Sequence, residues 1–262
     1  MKLIITAGGT AEKIDQVRKI TNTGTGRLGS LTAEAFASRG GAQMEKIYYI
    51  CEQGTVIPDL DCVKVIFTQG VDEVKNVLEQ LLTREKIDAV IHSMAVSDYT
   101  VEHVTTAEDL AAYLAGRVFP LERGRFRSED ELAGYLSACI TENDRLMDRS
   151  QKVGSNVENM MLCMRRTPKL IGLVKQWQPS TILVGFKLLD GVGRQALLQT
   201  AYNVMVKNSC DLMFANDLTE IHGERHAGYL LLPDRTTRRF EGKAEIARGI
   251  AQNVLNLIKK KE

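Results

Sequence analysis

The chain lacks the features that would place it in a membrane, outside the cell or on nucleic acid. None of its apolar runs approaches the 18 or more residues that a membrane span needs. Its N-terminus has neither the basic region nor the long apolar segment and small-residue cleavage site of a secretory signal. An apolar strand begins at Lys2, so the expectation is a cytoplasmic protein with nothing before the fold. There are 5 cysteines in 262 residues. Cys51, Cys62, Cys139, Cys163 and Cys210 are odd in number, dispersed and without C-x-x-C spacing, which argues against a disulfide framework and a zinc site and fits reduced cytosol. Lys and Arg total 34 against 33 Asp and Glu, a net charge of +1, so nothing pulls the chain as a whole toward nucleic acid or anionic lipid. No G-x-x-x-x-G-K-[ST] loop and no nucleophile elbow occur. Of His92, His103, His222 and His226, only the last two share a spacing that suits a metal. Gly223 interrupts them, which favours a structural or solvent role.

What is present suits an ordinary globular protein: hydrophobic residues make up 44% of the chain and charged residues 26%, enough for a real core. The richest segment is the first thirty residues. An apolar strand, Leu3-Ile4-Ile5-Thr6-Ala7, runs into Gly8-Gly9-Thr10. After a charged stretch to Arg18, Ile20-Thr21-Asn22-Thr23-Gly24-Thr25-Gly26-Arg27-Leu28-Gly29-Ser30 opens an amphipathic helix. Backbone N–H groups exposed by two glycine turns and a helix N-terminus make an anion site, with a nucleotide polyphosphate as the natural guest.

Apolar runs then alternate with helical patterns. Strands are expected at Lys46–Cys51, Val63–Thr68, Ala89–Ala95, Ile182–Phe186 and Leu212–Ala215, and helices at Ser30–Arg39 and Val71–Arg84. A hairpin at Tyr229–Leu232 and Thr236–Phe240 and a helix from Lys243 to Lys261 close the chain. Strands that alternate with helices predict an α/β fold: a Rossmann-like, mostly parallel sheet with helices on both faces. Residues 100–151 interrupt this rhythm with helical pieces at Thr106–Leu114 and Ser128–Cys139 and a Gly/Pro/Arg-rich stretch. That excursion is too long for a plain connection. Surface decoration is the plain reading; departure straight from a core strand favours a lid or dimer element inside a single domain, 1–262.

Gly24-x-Gly26-x-x-Gly29 satisfies the dinucleotide fingerprint by pattern. It does not follow the first strand directly, and Glu45 opens the second strand, so it cannot be the ribose-binding acid at that strand's far end. A nicotinamide-dependent oxidoreductase is therefore the lesser expectation.

Six blocks together resemble the phosphopantothenate–cysteine ligase family. They are Ile5 to Thr10; Val17-Arg18-x-Ile20-Thr21-Asn22-x-Gly24-x-Gly26-x-x-Gly29; Ala95-Val96-Ser97-Asp98; the segment from Lys152 to Thr167-Pro168-Lys169; Val184-Gly185-Phe186-Lys187; and Ala215-Asn216-Asp217. The resemblance, to the stand-alone bacterial form, implies a homodimeric ligase that activates the 4′-phosphopantothenate carboxylate with CTP as an acyl-cytidylate. L-cysteine then captures the acyl group, with release of CMP and pyrophosphate. Animal members use ATP, and Mg2+ is expected to be held mostly by the nucleotide phosphates and water.

The resemblance also implies residue roles. Gly8, Gly9, Gly24, Gly26 and Gly29 would take the nucleotide, with Asp98, Phe186, Lys187 and Asn216. Arg18 would grip the substrate phosphate, in the family across the dimer interface, and Ala95 and Asp98 would meet the pantothenate chain. Asn22 would donate to the acyl carbonyl in the second half-reaction. Lys152 would neutralise charge in the first, although the lysines that follow it in the family are absent here. Gly24 stands where many members carry Ser, and Met94 where they carry Ala. Lys207 and Asn208 are weaker nucleotide candidates. A nucleotide-binding module without catalysis is the non-enzyme alternative.

Overall fold

The computed structural model describes residues 1–222 and 225–261 and divides them into two compact units. The first comprises Met1–Ala11, Thr21–Asp98 and Pro168–Glu262, the second Glu12–Ile20 and Tyr99–Thr167. In chain order, β1 (Lys2–Ala7) is followed by two short strands that pair with one another, β2 (Ala11–Lys13) and β3 (Lys19–Thr21). Then come α1 (Arg27–Gly40), β4 (Lys46–Cys51), β5 (Val63–Phe67), α2 (Gly70–Arg84) and β6 (Ala89–His92).

The second unit carries β7 (Tyr99–Thr106), α3 (Ala107–Val118), α4 (Glu129–Thr141) and β8 (Met160–Arg166). The first unit resumes with α5 (Leu170–Trp177), β9 (Ile182–Leu189), α6 (Arg194–Lys207) and β10 (Leu212–Asp217). It ends with β11 (Ile221–His222), β12 (Arg225–Leu231), β13 (Thr237–Glu241) and α7 (Lys243–Lys259).

Nine strands of the first unit form one sheet in the order β11-β12-β10-β9-β6-β1-β4-β5, with β13 added on β12. From β5 to β10 every neighbour pair is parallel, and β12 joins β10 antiparallel. Read outward from β1, the chain builds β4 and β5 on one side, then β6, β9 and β10 on the other. The strand order therefore reverses between β1 and β6, which is where open α/β sheets place their ligand crevice.

Alternation along the strands sorts the core into two layers, as a two-residue period requires. Leu3, Ile5 and Ala7 of β1 pack with Phe36 of α1 and with Ile246, Ile250 and Val254 of α7. Ile4 packs on the other face with Val74 and Leu78 of α2, Val174 of α5 and Leu197 of α6. Both faces are thus covered by helices, the doubly wound arrangement expected from the sequence. Phe36, fully buried, alone removes enough apolar surface to contribute about 1.5–3 kcal/mol.

The Lys46–Cys51 strand has the bounds read from the sequence, and several other elements run longer. β9 continues to Leu189 and β10 to Asp217. The Ala89–Ala95 run divides: β6 stops at His92, and Ala95 makes an isolated parallel bridge to Gly9.

The β7–β8 ladder of the second unit escaped the sequence reading. Its cross-strand partners stand about 60 residues apart in the chain, as Tyr99 opposite Arg166 illustrates. Two side chains tie the 12–20 segment into this unit. Arg149 donates to the carbonyls of Lys13, Ile14, Val101 and Glu102. Asp15 receives Arg18 through Nε at 2.8 Å and a terminal nitrogen at 2.6 Å, and also accepts from the Val17, Arg18 and Val153 amides.

Candidate active site at the sheet's carboxyl edge

Two stretches of the first unit, Gly8–Thr10 and Asn22–Gly29, are separated in sequence and adjacent in space. Thr10 donates its amide to the Ala95 carbonyl at 3.1 Å, and Ala95 donates back to Gly8 at 2.8 Å. The Thr10 carbonyl accepts from the Asn22 amide at 3.4 Å and from Thr21 Oγ1 at 3.1 Å, while Thr10 Oγ1 accepts from the Ser97 amide at 2.9 Å. Buried Thr10 is therefore the hub that joins three of the sequence blocks at the switch point. Nothing in its spacing singled it out.

The glycines are required because chain packs against chain. A Cβ on Gly24 would lie 2.8 Å from the Gly8 carbonyl oxygen, and one on Gly9 2.5 Å from the Asn22 carbonyl oxygen. Gly26, the N-cap of α1, has φ 78° and would drive a Cβ to 2.1 Å from Thr55 Cγ2. Gly29 lets the first turn of α1 close on β1: its Cβ would sit 2.5 Å from Ala7 Cβ. The two turns thus make one surface, sealed behind by Thr55. The buried Tyr49 hydroxyl donates within reach of the carbonyls of Gly26, at 3.2 Å, and Val56, at 2.8 Å.

The N-cap Gly26 offers α1 no side chain, and Thr25 Oγ1 takes only the Arg27 amide, at 3.4 Å. The first intrahelical bond is Ser30 N–H to the Gly26 carbonyl, so the Leu28 and Gly29 amides of the opening turn are left for an external acceptor, and the helix dipole adds to their pull on an anion. The exposed Asn22 side chain makes no hydrogen bond among the described residues, so its amide can donate outward. Gly24-x-Gly26-x-x-Gly29 also opens the first crossover helix of the sheet. Its displacement in the sequence comes from the 12–20 excursion, and Glu52 directly follows β4.

The remaining first-unit candidates divide by face. Phe186 is half-buried, with its ring 5.6 Å from that of Phe214, on the α1 side of the sheet. Asn216 falls on the same face by alternation, and its Nδ2 lies 3.2 Å from His226 Nε2. Burial, with a smaller push from Lys243, lowers the pKa of His226, so the neutral ring that accepts from Asn216 is favoured. Lys187, next to Phe186, points to the opposite face.

Asp98 forms an exposed ion pair with Lys169, joining a fourth sequence block to the three that meet at Thr10. Met94 is buried against the α2, α5 and α6 layer, so its bulk fills core. Asn208 caps the end of α6, with its side-chain nitrogen 2.8 Å from the Val204 carbonyl. It therefore stands with Lys207 at the sheet's amino edge, away from the site. The His222 side chain and Gly223 lie outside the described residues.

Sequence reasoning passed over two titratable groups near the strand ends. Asp217 accepts from Thr219 through its hydroxyl and amide and from the amides of Gly191 and Val192, joining the loops after β9 and β10. These bonds, led by the Thr219 hydroxyl, hold its carboxyl at about 2. His92 is buried beside Thr6, with Nδ1 2.9 Å from Oγ1, and burial pushes its pKa down to about 4.

Two candidates, Arg18 and Lys152, belong to the second unit. Lys152 is exposed, and Arg18 is committed to Asp15 and to the Val153 carbonyl at 2.7 Å. Among the described residues, the one group of His, Cys, Asp and Glu able to hold a metal by itself is Glu102, His103 and Cys163, also in that unit.

A doubly wound sheet with a glycine turn and a helix N-terminus at its switch point defines a Rossmann-type α/β protein. The chain belongs to the DNA/pantothenate metabolism flavoprotein C-terminal domain family, whose profile covers residues 1–109 and 135–258. It is 24% identical over 261 residues to the coenzyme A biosynthesis bifunctional protein CoaBC of Methanocaldococcus jannaschii, a match that takes in 98% of this chain and 51% of that one. The chain spans about half the length of the curated relatives it matches.

Among solved structures, the DNA/pantothenate metabolism flavoprotein of Streptococcus pneumoniae superposes with a TM-score of 0.76 at 29% identity, covering 98% of this chain and 99% of that one. A Cab2 variant in complex with phosphopantothenate-cysteine shares the fold. Its TM-score is 0.62 at 14% identity, over 99% of this chain and 86% of that one.

Proposed function

We propose that the chain is a phosphopantothenate–cysteine ligase acting in coenzyme A biosynthesis. The observation that carries this reading is the α1 N-terminus, whose Leu28 and Gly29 amides are left without an acceptor among the described residues, beside the exposed Asn22 at the switch point. Membership of the family, the name of the CoaBC relatives and the phosphopantothenate-cysteine held by the Cab2 variant support the substrate class.

A carboxylate does not accept an amine without activation. In the first half-reaction, the 4′-phosphopantothenate carboxylate attacks the α-phosphorus of CTP and displaces pyrophosphate. The α1 amides would hold the triphosphate in line, a matter of positioning and charge stabilisation. Phe186 would face the base, and Asn216, oriented by His226, would fix the nucleotide. In the second half-reaction, the cysteine amine attacks the acyl carbon. Asn22 would donate to the oxyanion that forms, and CMP leaves. Arg18 and Lys152 keep the roles that the family resemblance implies, on the substrate phosphate and on the charge built up in the first step. The protein is expected to work as a homodimer in the cytoplasm.

The test is pyrophosphate release with 4′-phosphopantothenate and L-cysteine, CTP against ATP, with mass spectrometry for the acyl-nucleotidylate. Release with CTP, and accumulation of the intermediate in Asn22→Ala, is the expected result. No release with either nucleotide refutes the ligase. The position of the glycine fingerprint at the first crossover helix, with Glu52 after β4, favours a nicotinamide dinucleotide as the second reading. Quenching of NADH fluorescence on titration, without pyrophosphate release, would select it.

A further inference from the structure

We propose that Glu102, His103 and Cys163 form a site for a zinc-class divalent cation that clamps β7 to β8. His103 stands directly opposite Cys163 in the antiparallel ladder, and the register shifts between Val101 and His103. Glu102 is thus the extra residue of a bulge, and a bulge re-aims the side chain of the residue it inserts. Both Glu102 and His103 therefore confront one cysteine, and the three donor atoms lie within 4.8 Å of one another. Arg149 fixes this irregularity by donating to the Val101 carbonyl at 3.1 Å and the Glu102 carbonyl at 2.9 Å.

The donor set selects the ion. Thiolate, imidazole and carboxylate together suit borderline-soft zinc, whereas magnesium and calcium take oxygen alone. Around one tetrahedral zinc such donors sit about 3.3–3.8 Å apart, so side-chain rotation needs to supply no more than about 1.5 Å of closure, and Glu102 is exposed and able to turn. Three protein ligands leave a fourth position to water. On binding, the Cys163 thiol gives up its proton to solvent and the sulfur donates as thiolate.

The second unit has reason to use such a clamp. Helix α3 buries no residue completely and α4 only Cys139, and a two-stranded ladder is marginal without more support. The other thiols are different: Cys51, Cys139 and Cys210 are buried, leaving Cys62 as the only other half-exposed one. The sequence concealed the site because its ligands are paired by the ladder, 60 residues apart along the chain.

The test uses the full chain, stripped with chelator and titrated with cobalt(II) as a spectroscopic stand-in. A thiolate-to-cobalt charge-transfer band saturating at one ion per chain, and displaced by zinc, is expected. Cys163→Ser should abolish the band, Glu102→Gln and His103→Ala should weaken cobalt binding, and Cys62→Ser should leave it unchanged. Zinc should raise the melting temperature of the wild type and not of Cys163→Ser. If Cys163→Ser does not fold, His103→Ala decides the case by its lost affinity. Absence of the band in the wild type, its persistence in Cys163→Ser, or unchanged affinity in His103→Ala overturns the proposal.

Discussion

Substituting Gly24 by Ala adds a single methyl group where two backbone segments meet. Its Cβ would stand 2.8 Å from the Gly8 carbonyl oxygen, 2.9 Å from that carbonyl carbon and 3.4 Å from the Gly9 amide nitrogen. All three are backbone atoms, so no rotamer change relieves the contact. Gly8 itself is held at φ 78° with Thr55 behind it. The turn must therefore move away from α1, and overpacking of this kind costs about 1–3 kcal/mol. On the proposed ligase reading, with that cost falling on the glycine turns, the KM for CTP rises about 5- to 150-fold.

Gly24→Ser, which installs the residue common in the resembling family, should behave like Gly24→Ala, because the collision precedes the hydroxyl. The assay is steady-state pyrophosphate release against CTP, with thermal melting alongside. Each 1 kcal/mol lost would lower the melting temperature by about 2–4 °C in a chain of this size. A variant with wild-type KM and melting temperature would refute the claim that these turns are locked by contact.

Tyr49→Phe removes the hydroxyl between the Gly26 and Val56 carbonyls; Gly26 keeps its bond from Ser30, so the cost is about 1–3 kcal/mol for the Val56 carbonyl left unpaired, read as a lower melting temperature. Asn22→Ala should slow the second half-reaction about 10²- to 10³-fold with little change in the burst of pyrophosphate, measured by rapid quench. Asp217, held at about 2 by Thr219, contributes stability that is complete above its unfolded value of about 3.9 and is lost as pH falls through about 2. The melting curves of the wild type and Asp217→Asn should therefore converge at acid pH. His92, held at about 4 by burial, acts in a higher window. The unfolded chain takes up the proton near its ordinary value of about 6.5, so folding weakens as pH falls from there to about 4. His92→Gln should flatten that slope in urea titrations.

The glycines carry two meanings that the sequence alone could not separate. A close approach to phosphate and a close approach to protein both exclude Cβ. For Gly8, Gly9, Gly24 and Gly26, the nearest neighbours on the Cβ side are Thr55, Asn22, Gly8 and Thr55 in turn. The donors that remain for an anion are backbone amides of the α1 opening turn. Packing at the switch point therefore accounts for the glycine pattern before any ligand is considered.

The sequence by itself determined the doubly wound sheet, its core strands and the family. Unbroken apolar runs such as Ile182–Phe186 are what a strand buried on both faces requires, and glycine turns are punctuation that few other residues can supply. It also pointed to most of the residues gathered at the switch point. Only the tertiary structure decided that Lys187 leaves the face Phe186 occupies, that Asn208 is a helix cap at the opposite edge, and that Met94 is core. It alone showed that Thr10, His226 and Asp217 organise the strand ends, and that β7 and β8 pair. Periodicity is written by contacts within a few residues, so local pattern reports it. The face a side chain takes beyond the end of its strand, and the partner it meets 60 residues away, depend on register and on long-range pairing.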